Sequence, residues 1–186
     1  CSEIFMQHLN FEVKARTNHQ TAIRIWLLAN GAKPHGTDWQ TDTYFHLPIG
    51  AGRLKLRQGN IENSLIHYRR ADNAQARVSD VALSPVPDAM SLKNILERAL
   101  GVLVEVRKRR EIFFIENVKF HLDELDGFGY FVEIEAIATS PDISAEHLQT
   151  QCAYYMEASN IEPQDIVAES YSDMLMRQSQ GIGRTS

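Results

Sequence analysis

Charged residues recur at every second position in four short segments of this chain. Successive side chains of a β-strand point to opposite faces, so residues two apart share a face. Apolar residues such as Val13, Leu54 and Leu56 occupy the positions between the charged ones. The pattern therefore predicts strands with one apolar face and one face that carries both cations and carboxylates. The charged sets are Glu12, Lys14 and Arg16; Arg53, Lys55 and Arg57; Lys119, His121 and Asp123; and Glu133 with Glu135.

Periodicity alone leaves two explanations of the charged face open. In the first, the face is solvated and its cross-strand ion pairs contribute little energy. In the second, it lines the inside of a closed barrel, where crowded like charges would be costly. A polyanion could then neutralise the cations, and a divalent metal could neutralise the carboxylates. Periodicity by itself favours the solvated face.

The elements that must position these residues are mostly strands, interrupted by three helices. The first helix is predicted to begin after Asn18 and to end at Gly31, and the others cover 91–100 and 144–159. Asp126-Gly127 is typical of a hairpin turn. Strands are predicted at 4–16, 43–47, 53–58, 64–71, 77–83, 102–115, 118–125 and 130–138.

Composition excludes several classes of protein. The chain has 186 residues, of which 44% are hydrophobic and 23% charged, as expected for one soluble globular domain. Cys1 and Cys152 provide neither a disulfide framework nor a zinc site, and they fit a reducing cytoplasm. No apolar run approaches the roughly 18 residues of a membrane span, and no signal peptide is evident. We expect a cytoplasmic protein with one domain over 1–178 and a disordered tail over 179–186.

An ordered series of motifs decides between the two explanations of the charged face. The segment Asn10–Arg16 (NFEVKAR) resembles the opening strand of the CYTH superfamily, the triphosphate tunnel metalloenzymes, whose usual form is Glu-x-Glu-x-Lys. Asn10 replaces the first Glu, as in the class IV adenylyl cyclase-like branch. The resemblance covers about residues 8–175 and favours the inward-facing arrangement. The further matches, in order, are 40–45 (QTDTYF), 53–57 (RLKLR), 65–70 (LIHYRR), 106–110 (VRKRR), 119–123 (KFHLD), 127–135 (GFGYFVEIE) and 170–173 (SYSD).

The resemblance implies an α+β fold, an eight-stranded antiparallel β-barrel with helices packed outside it. Its tunnel would hold a triphosphate with Mg²⁺ or Mn²⁺. The implied metal ligands are Glu12, Asp123, Glu133 and Glu135. The implied substrate contacts are Lys14, Arg16, Arg53, Lys55, Arg57, Arg70, Lys108, Arg110, Lys119 and His121. The residues expected to act in catalysis are Glu12, Lys14, Lys108, Arg110 and Asp123. A one-residue slip in register would exchange the inward and outward sets, and Arg70 is chosen because it shares a face with Tyr68.

Two reactions suit such a tunnel. In an adenylyl cyclase, the ribose 3′-hydroxyl of ATP attacks the α-phosphorus and pyrophosphate leaves. In a triphosphatase, water attacks the terminal phosphorus of tripolyphosphate or thiamine triphosphate. Both reactions need positioning and charge neutralisation, which guanidinium groups and carboxylate-bound metal provide. The branch match makes the cyclase the first prediction and the triphosphatase the second. A barrel that only binds a nucleotide or polyphosphate is a third, and the net charge of −5 disfavours a nucleic-acid 5′-triphosphatase.

A few residues keep open roles. His121 is either a phosphate-contacting or proton-transferring group, or a hydrogen-bonded lining residue. Asp42 is predicted to form an ion pair at the tunnel rim, and Cys152 to be an inert buried thiol. Head-group specificity is expected in rim loops at 34–40 and 71–76. The family resemblance also implies a homodimer.

Overall fold

The computed structural model describes residues 9–70 and 79–182 of the chain, and eight strands and four helices lie within them. A 3₁₀ turn at Pro163–Asp165 precedes the last helix. In chain order the elements are β1 (Asn10–Arg16), α1 (Gln20–Ala29), β2 (Lys33–Phe45), β3 (Arg53–Gln58), β4 (Ser64–Arg70), β5 (Ser79–Pro85), α2 (Ala89–Leu100), β6 (Val102–Ile115), β7 (Val118–Leu125), β8 (Gly129–Ile137), α3 (Ala145–Ala158) and α4 (Tyr171–Ile182).

The strands form one antiparallel sheet in the order β1-β8-β7-β6-β2-β3-β4-β5. Both edge strands, β1 and β5, contribute residues to the wall of the same cavity, so the sheet is curled into a half-barrel around it. No hydrogen-bonded pairing joins β1 to β5 within the described residues. The predicted α+β fold with eight antiparallel strands is confirmed.

Strand register brings the charged positions to one face of the sheet. Glu12 lies opposite Glu135, and Lys14 lies opposite Glu133, across the β1–β8 pair. His121 on β7 lies opposite Glu133 from the other side. Because directly opposed residues share a face, these side chains all belong to the concave face.

The main hydrophobic core lies outside the half-barrel, between the convex face and helices α1 and α3. It includes Phe11, Phe120 and Val132 from the strands, Leu27 from α1, and Cys152 from α3. The Cys152 thiol is fully buried, and burial raises its pKa to about 12, as expected of an inert thiol. No helix in the described part of the chain is long and apolar enough to cross a membrane.

Helix α4, which the sequence did not predict, closes one end of the half-barrel. Tyr171 and Met174 on this helix are buried against Tyr44, Tyr68 and Phe131 from three different strands. The first turn of α4 therefore lies against the concave face, whereas α1 and α3 cover the convex face.

The observed elements differ from the predicted ones in two further places. The strand predicted at 43–47 is the end of the longer β2, so the rim loop predicted at 34–40 is wrong. Pro34 and Gly36 interrupt the alternation, and β2 accommodates them with a register shift while it pairs with β6. Residues 179–182, which the sequence analysis placed in the tail, belong to α4. The rim loop predicted at 71–76 lies outside the described residues.

Candidate active site

A cavity of about 550 Å³ occupies the concave side of the sheet. Among the described residues, six cationic side chains and five carboxylates line it. The wall is therefore close to neutral, and an incoming polyanion must either displace carboxylates or arrive with a metal that neutralises them. The cations are Lys14, Lys55, Arg57, Lys108, Arg110 and Lys119, and the carboxylates are Glu12, Asp42, Glu62, Glu133 and Glu135.

Asp42 lies at the centre of the cationic part of the site. Arg57 binds it in bidentate fashion, with Nε 2.9 Å from Oδ1 and Nη2 3.0 Å from Oδ2. Lys108 Nζ and Lys55 Nζ donate to the same Oδ2 at 2.9 and 3.1 Å. Burial opposes ionisation of Asp42, but Arg57, Lys108 and Lys55 hold its pKa well below the usual value. Asp42 is only 1% exposed, so its ion pairs are buried inside the tunnel and the predicted rim position is wrong.

Arg110 is held between two carboxylates. Its Nε and Nη2 donate to the two oxygens of Asp123 at 2.7 and 2.5 Å, and Nη2 also donates to Glu133 Oε2 at 2.7 Å. The Tyr171 hydroxyl donates to Asp123 Oδ2 at 2.9 Å. Asp123 is fully buried and does not form part of the cavity wall. Asp123 therefore holds Arg110 in position in this structure, and its predicted role as a metal ligand stays a prediction.

The start of α4 also contributes to the site. The family motif SYSD at 170–173 lies here, but the sequence alone assigned no role to its residues. Lys14 Nζ lies 4.5 Å from the centroid of the Tyr171 ring and donates to the Glu169 carbonyl at 2.5 Å. Lys108 Nζ lies 5.7 Å from the same ring centroid. The electron-rich face of Tyr171 therefore helps to keep two buried cations in place.

Glu62 is a site residue that the sequence analysis missed. It lies in the loop between β3 and β4, where no strand alternation could predict its direction. Its Oε2 accepts from Arg57 Nη1 and its Oε1 from Lys119 Nζ, both at 2.9 Å. Burial opposes ionisation, but Lys119 and Arg57 hold the pKa of Glu62 well below the usual value. A charged carboxylate from a loop thus lies across two of the cavity's cations.

The carboxylates of β1 and β8 fit a hard divalent cation. Glu12 lies directly opposite Glu135, a placement that is unfavourable for two like charges on their own. Asn10 Nδ2 donates to Glu135 Oε1 at 2.6 Å, and Asn10 Oδ1 is buried with no hydrogen-bond partner among the described residues. These oxygens suit Mg²⁺ or Mn²⁺.

This set of oxygens is not a complete metal cage. Within residues 9–70 and 79–182, no cluster of three or more His, Cys, Asp or Glu side chains is arranged to hold a metal. Mg²⁺ usually keeps several of its water ligands, so one or two carboxylates together with substrate phosphates are commonly enough to hold it. The donor set therefore fits a metal that binds together with a phosphate compound.

His121 is uncharged at neutral pH. Burial lowers its pKa to about 4, and Arg110 and Lys119 act in the same direction. The ring is 4% exposed, and its Nδ1 lies 3.1 Å from Glu133 Oε2. A neutral ring donates from Nδ1 to Glu133, which leaves Nε2 as an acceptor. This Nε2 is buried and has no hydrogen-bond partner in the described part of the chain.

Two predicted substrate contacts, Arg16 and Arg53, do not lie on the cavity wall. Arg16 is exposed and donates from Nη1 to the Phe128 carbonyl at 2.9 Å. Arg53 Nη2 forms an ion pair with Asp173 Oδ1 at 2.6 Å in a separate depression. The side chain of Arg70 lies outside the described part of the structure. Alternation predicts the face of a strand but not the depth along the barrel, and Arg16 and Arg53 are terminal residues of their strands.

Lys108 should make anion binding depend on pH. Burial lowers the pKa of its ammonium group to about 7, with Arg110, Arg57 and Lys55 acting in the same direction against Asp42. At pH 8 the free protein therefore holds Lys108 largely neutral, and a bound phosphate raises its pKa and makes it take up a proton.

We expect tripolyphosphate binding at pH 8 to take up as much as about one proton at this group. Calorimetry in buffers of different ionisation enthalpy measures this uptake. The Lys108→Arg variant is the control, because a guanidinium stays protonated at this pH. An equal uptake in both proteins would show that another group titrates.

The sequence model of the CYTH domain matches residues 8–167. The chain belongs to the CYTH family. The family resemblance is thereby confirmed. CYTH proteins in general bind triphosphates and depend on a divalent metal.

Solved structures resemble this CYTH protein over most of its length. The PH1012 protein of Pyrococcus horikoshii OT3 has 25% sequence identity and a TM-score of 0.77, over 88% of this chain and 98% of that one. A proposed adenylate cyclase of Vibrio parahaemolyticus has 18% identity and a TM-score of 0.76, over 92% and 99%. HpAC1 from Hippeastrum, a proposed adenylyl cyclase with a dominant triphosphatase activity, has 15% identity and a TM-score of 0.64, over 93% and 96%. No curated protein matches the sequence significantly.

Proposed function

We propose that this CYTH protein is a metal-dependent enzyme acting on a nucleoside triphosphate, and that it converts ATP to 3′,5′-cyclic AMP and pyrophosphate. The observation that carries the proposal is the concentration of six Lys and Arg side chains on the wall of one cavity, in a chain of net charge −5. Such a cluster is costly in isolation and is suited to an anion with several charges.

A second part of the cavity wall supports an organic head group on the triphosphate. Ile61, Ile66, Val81, Leu83 and Pro85 line the side formed by β4, β5 and the loop before β4. An inorganic polyphosphate would leave this apolar surface uncovered, whereas a base or a similar ring could pack on it.

The residues that would hold the metal are Glu12, Glu133, Glu135 and the Asn10 side-chain oxygen. When bound, Mg²⁺ or Mn²⁺ would neutralise phosphate charge and polarise the phosphorus. This assignment keeps three of the four carboxylates named from the sequence and leaves Asp123 to orient Arg110.

The chain's own cations bind and orient the phosphates. In the cyclase reaction, the 3′-oxygen forms a bond to the α-phosphorus while the bond from that phosphorus to the pyrophosphate oxygen breaks. Lys108 and Arg110, fixed by buried carboxylates, stabilise the charge that accumulates on the leaving pyrophosphate. Neutral His121 can accept a hydrogen bond at Nε2 from the 3′-hydroxyl and orient it, and the proton that the hydroxyl loses passes to the leaving pyrophosphate.

Hydrolysis of the terminal phosphate is the second candidate reaction. The specific observation in its favour is that HpAC1, which has the same fold, shows a dominant triphosphatase activity. Water would then take the place of the 3′-hydroxyl, and its attack would fall on the terminal phosphorus.

Product analysis separates these reactions. We expect the purified protein, incubated with ATP and Mn²⁺ at pH values from 6 to 10, to release cyclic AMP and pyrophosphate, which chromatography resolves. Release of ADP and orthophosphate would instead show that the protein hydrolyses the terminal phosphate as a triphosphatase. Tight triphosphate binding with no product after long incubation would contradict both reactions and favour a barrel that only binds.

A further inference from the structure

The loop between β3 and β4 folds back into the cavity. Its residues Ile61, Glu62 and Asn63 form part of the wall. The Glu62 carboxylate spans Arg57 Nη1 and Lys119 Nζ at 2.9 Å each, and Oε2 lies 3.3 Å from Gln40 Nε2. One carboxylate therefore binds two cations from different strands, an arrangement that a phosphate group could also adopt.

The backbone of this loop is fixed by hydrogen bonds. The buried Asp38 carboxylate accepts from the Ile61 and Glu62 amides at 2.9 and 3.0 Å. Asn63 exchanges two hydrogen bonds with the backbone of Gly59, at 3.2 and 2.9 Å. A Cβ at Gly59 would collide with the Asp38 carboxylate, so the close approach requires glycine. The loop thus presents Glu62 to the two cations in a defined position.

Glu62 differs from Asp42 in how easily an anion can displace it. The Asp42 side chain is 1% exposed, whereas the Glu62 side chain is 25% exposed. Arg57 divides its guanidinium between the two, with Nε and Nη2 on Asp42 and Nη1 on Glu62. An anion that enters the cavity can therefore take Arg57 Nη1 and Lys119 Nζ if the Glu62 side chain rotates away, while Asp42 stays in place.

We propose that Glu62 is an internal competitor of the substrate, a carboxylate that occupies the Arg57–Lys119 subsite and that a phosphate group of the triphosphate must displace. This inference rests on the proposed function, since it assumes that the cavity binds a triphosphate. It makes Glu62 a specificity-determining residue: an anion binds well only where it brings more negative charge to the two cations than the carboxylate that it replaces.

The test is the affinity for inorganic tripolyphosphate, measured by calorimetry with EDTA present so that neither metal nor turnover contributes. We expect Glu62→Gln to bind tripolyphosphate about tenfold more tightly than the wild type, because the competing charge is gone while the shape is kept. Glu124→Gln, a change at an exposed position of β7, should leave the affinity unchanged. An affinity of Glu62→Gln equal to or weaker than that of the wild type would overturn the proposal.

A second variant reaches the same question by another route. Gly59→Ala keeps the Glu62 charge but forces the loop away from Asp38, and it should also bind tripolyphosphate more tightly. Should Gly59→Ala fail to fold, Glu62→Gln decides alone. If the wild type binds tripolyphosphate and Glu62→Gln binds it no more tightly, the role of Glu62 is overturned and the proposed function stays intact. Absence of binding in both the wild type and Glu62→Gln overturns both.

Discussion

Replacement of Asp42 by Asn is expected to lower the free energy of unfolding by about 3 kcal/mol, the size of effect seen when one partner of a buried ion pair is removed. Asp42 is the shared carboxylate of Lys55, Arg57 and Lys108. Asn has nearly the same shape but no charge, so the change leaves these cations crowded together in a buried site. Urea unfolding of the wild type and the variant gives the difference directly.

The matched control for this prediction is Asp126→Asn in the turn between β7 and β8. Asp126 is exposed, so the same chemical change should alter the free energy of unfolding by less than about 0.5 kcal/mol. Tripolyphosphate should stabilise Asp42→Asn more than it stabilises the wild type, since the anion restores negative charge beside the three cations. A loss of stability no larger than that of Asp126→Asn would contradict the central role given to Asp42.

The charged residues of the concave face could be predicted from sequence because they recur at every second position of a strand. Lys14, Lys55, Arg57 and Lys119 follow from alternation once one residue of each strand is assigned to the concave face. The register could not be read in the same way. It was set by the ordered motifs of the family, and a slip of one residue would have turned every one of these side chains outward.

Features that depend on the third dimension were beyond the reach of alternation. Glu62 lies in a loop, so its direction follows from the Asp38 carboxylate and not from a repeat. Asp123 does share the predicted face, but it is fully buried and pairs with Arg110, and of the two only Arg110 lines the cavity. The role of α4 was missed because its contacts, such as Tyr171 with Phe131, join parts of the chain that are distant in sequence.

The near balance of charge in the cavity gives the metal a physical role. With six cations and five carboxylates on the wall, the side chains of the cavity alone offer little net attraction to a triphosphate. A divalent ion on the β1 and β8 carboxylates would neutralise part of the negative charge of the wall, so that the cavity as a whole would attract the phosphates. Metal dependence should therefore come from charge as well as from polarisation of the phosphorus.

This reasoning predicts that the double variant Glu133→Gln/Glu135→Gln loses metal-dependent turnover by about 10³-fold or more, equal to about 4 kcal/mol of transition-state stabilisation. Both positions lie opposite residues of β1, and their side chains line the cavity. Gln preserves the shape and one oxygen of each side chain, so Arg110 keeps its bidentate pair with Asp123 and the protein should still fold. The measurement is the rate of product formation from ATP with Mn²⁺.

Tripolyphosphate binding without metal distinguishes the loss of a metal ligand from a structural defect, because a structural defect would weaken this binding as well. The double variant removes two negative charges from the cavity, so tripolyphosphate should bind it in EDTA at least as tightly as it binds the wild type. The exposed Glu124→Gln variant should change neither turnover nor binding. Full turnover in the double variant would remove Glu133 and Glu135 from the metal site. Loss of both turnover and metal-free binding would instead assign these residues to the architecture of the cavity, because removal of a metal ligand should lower turnover without weakening metal-free binding.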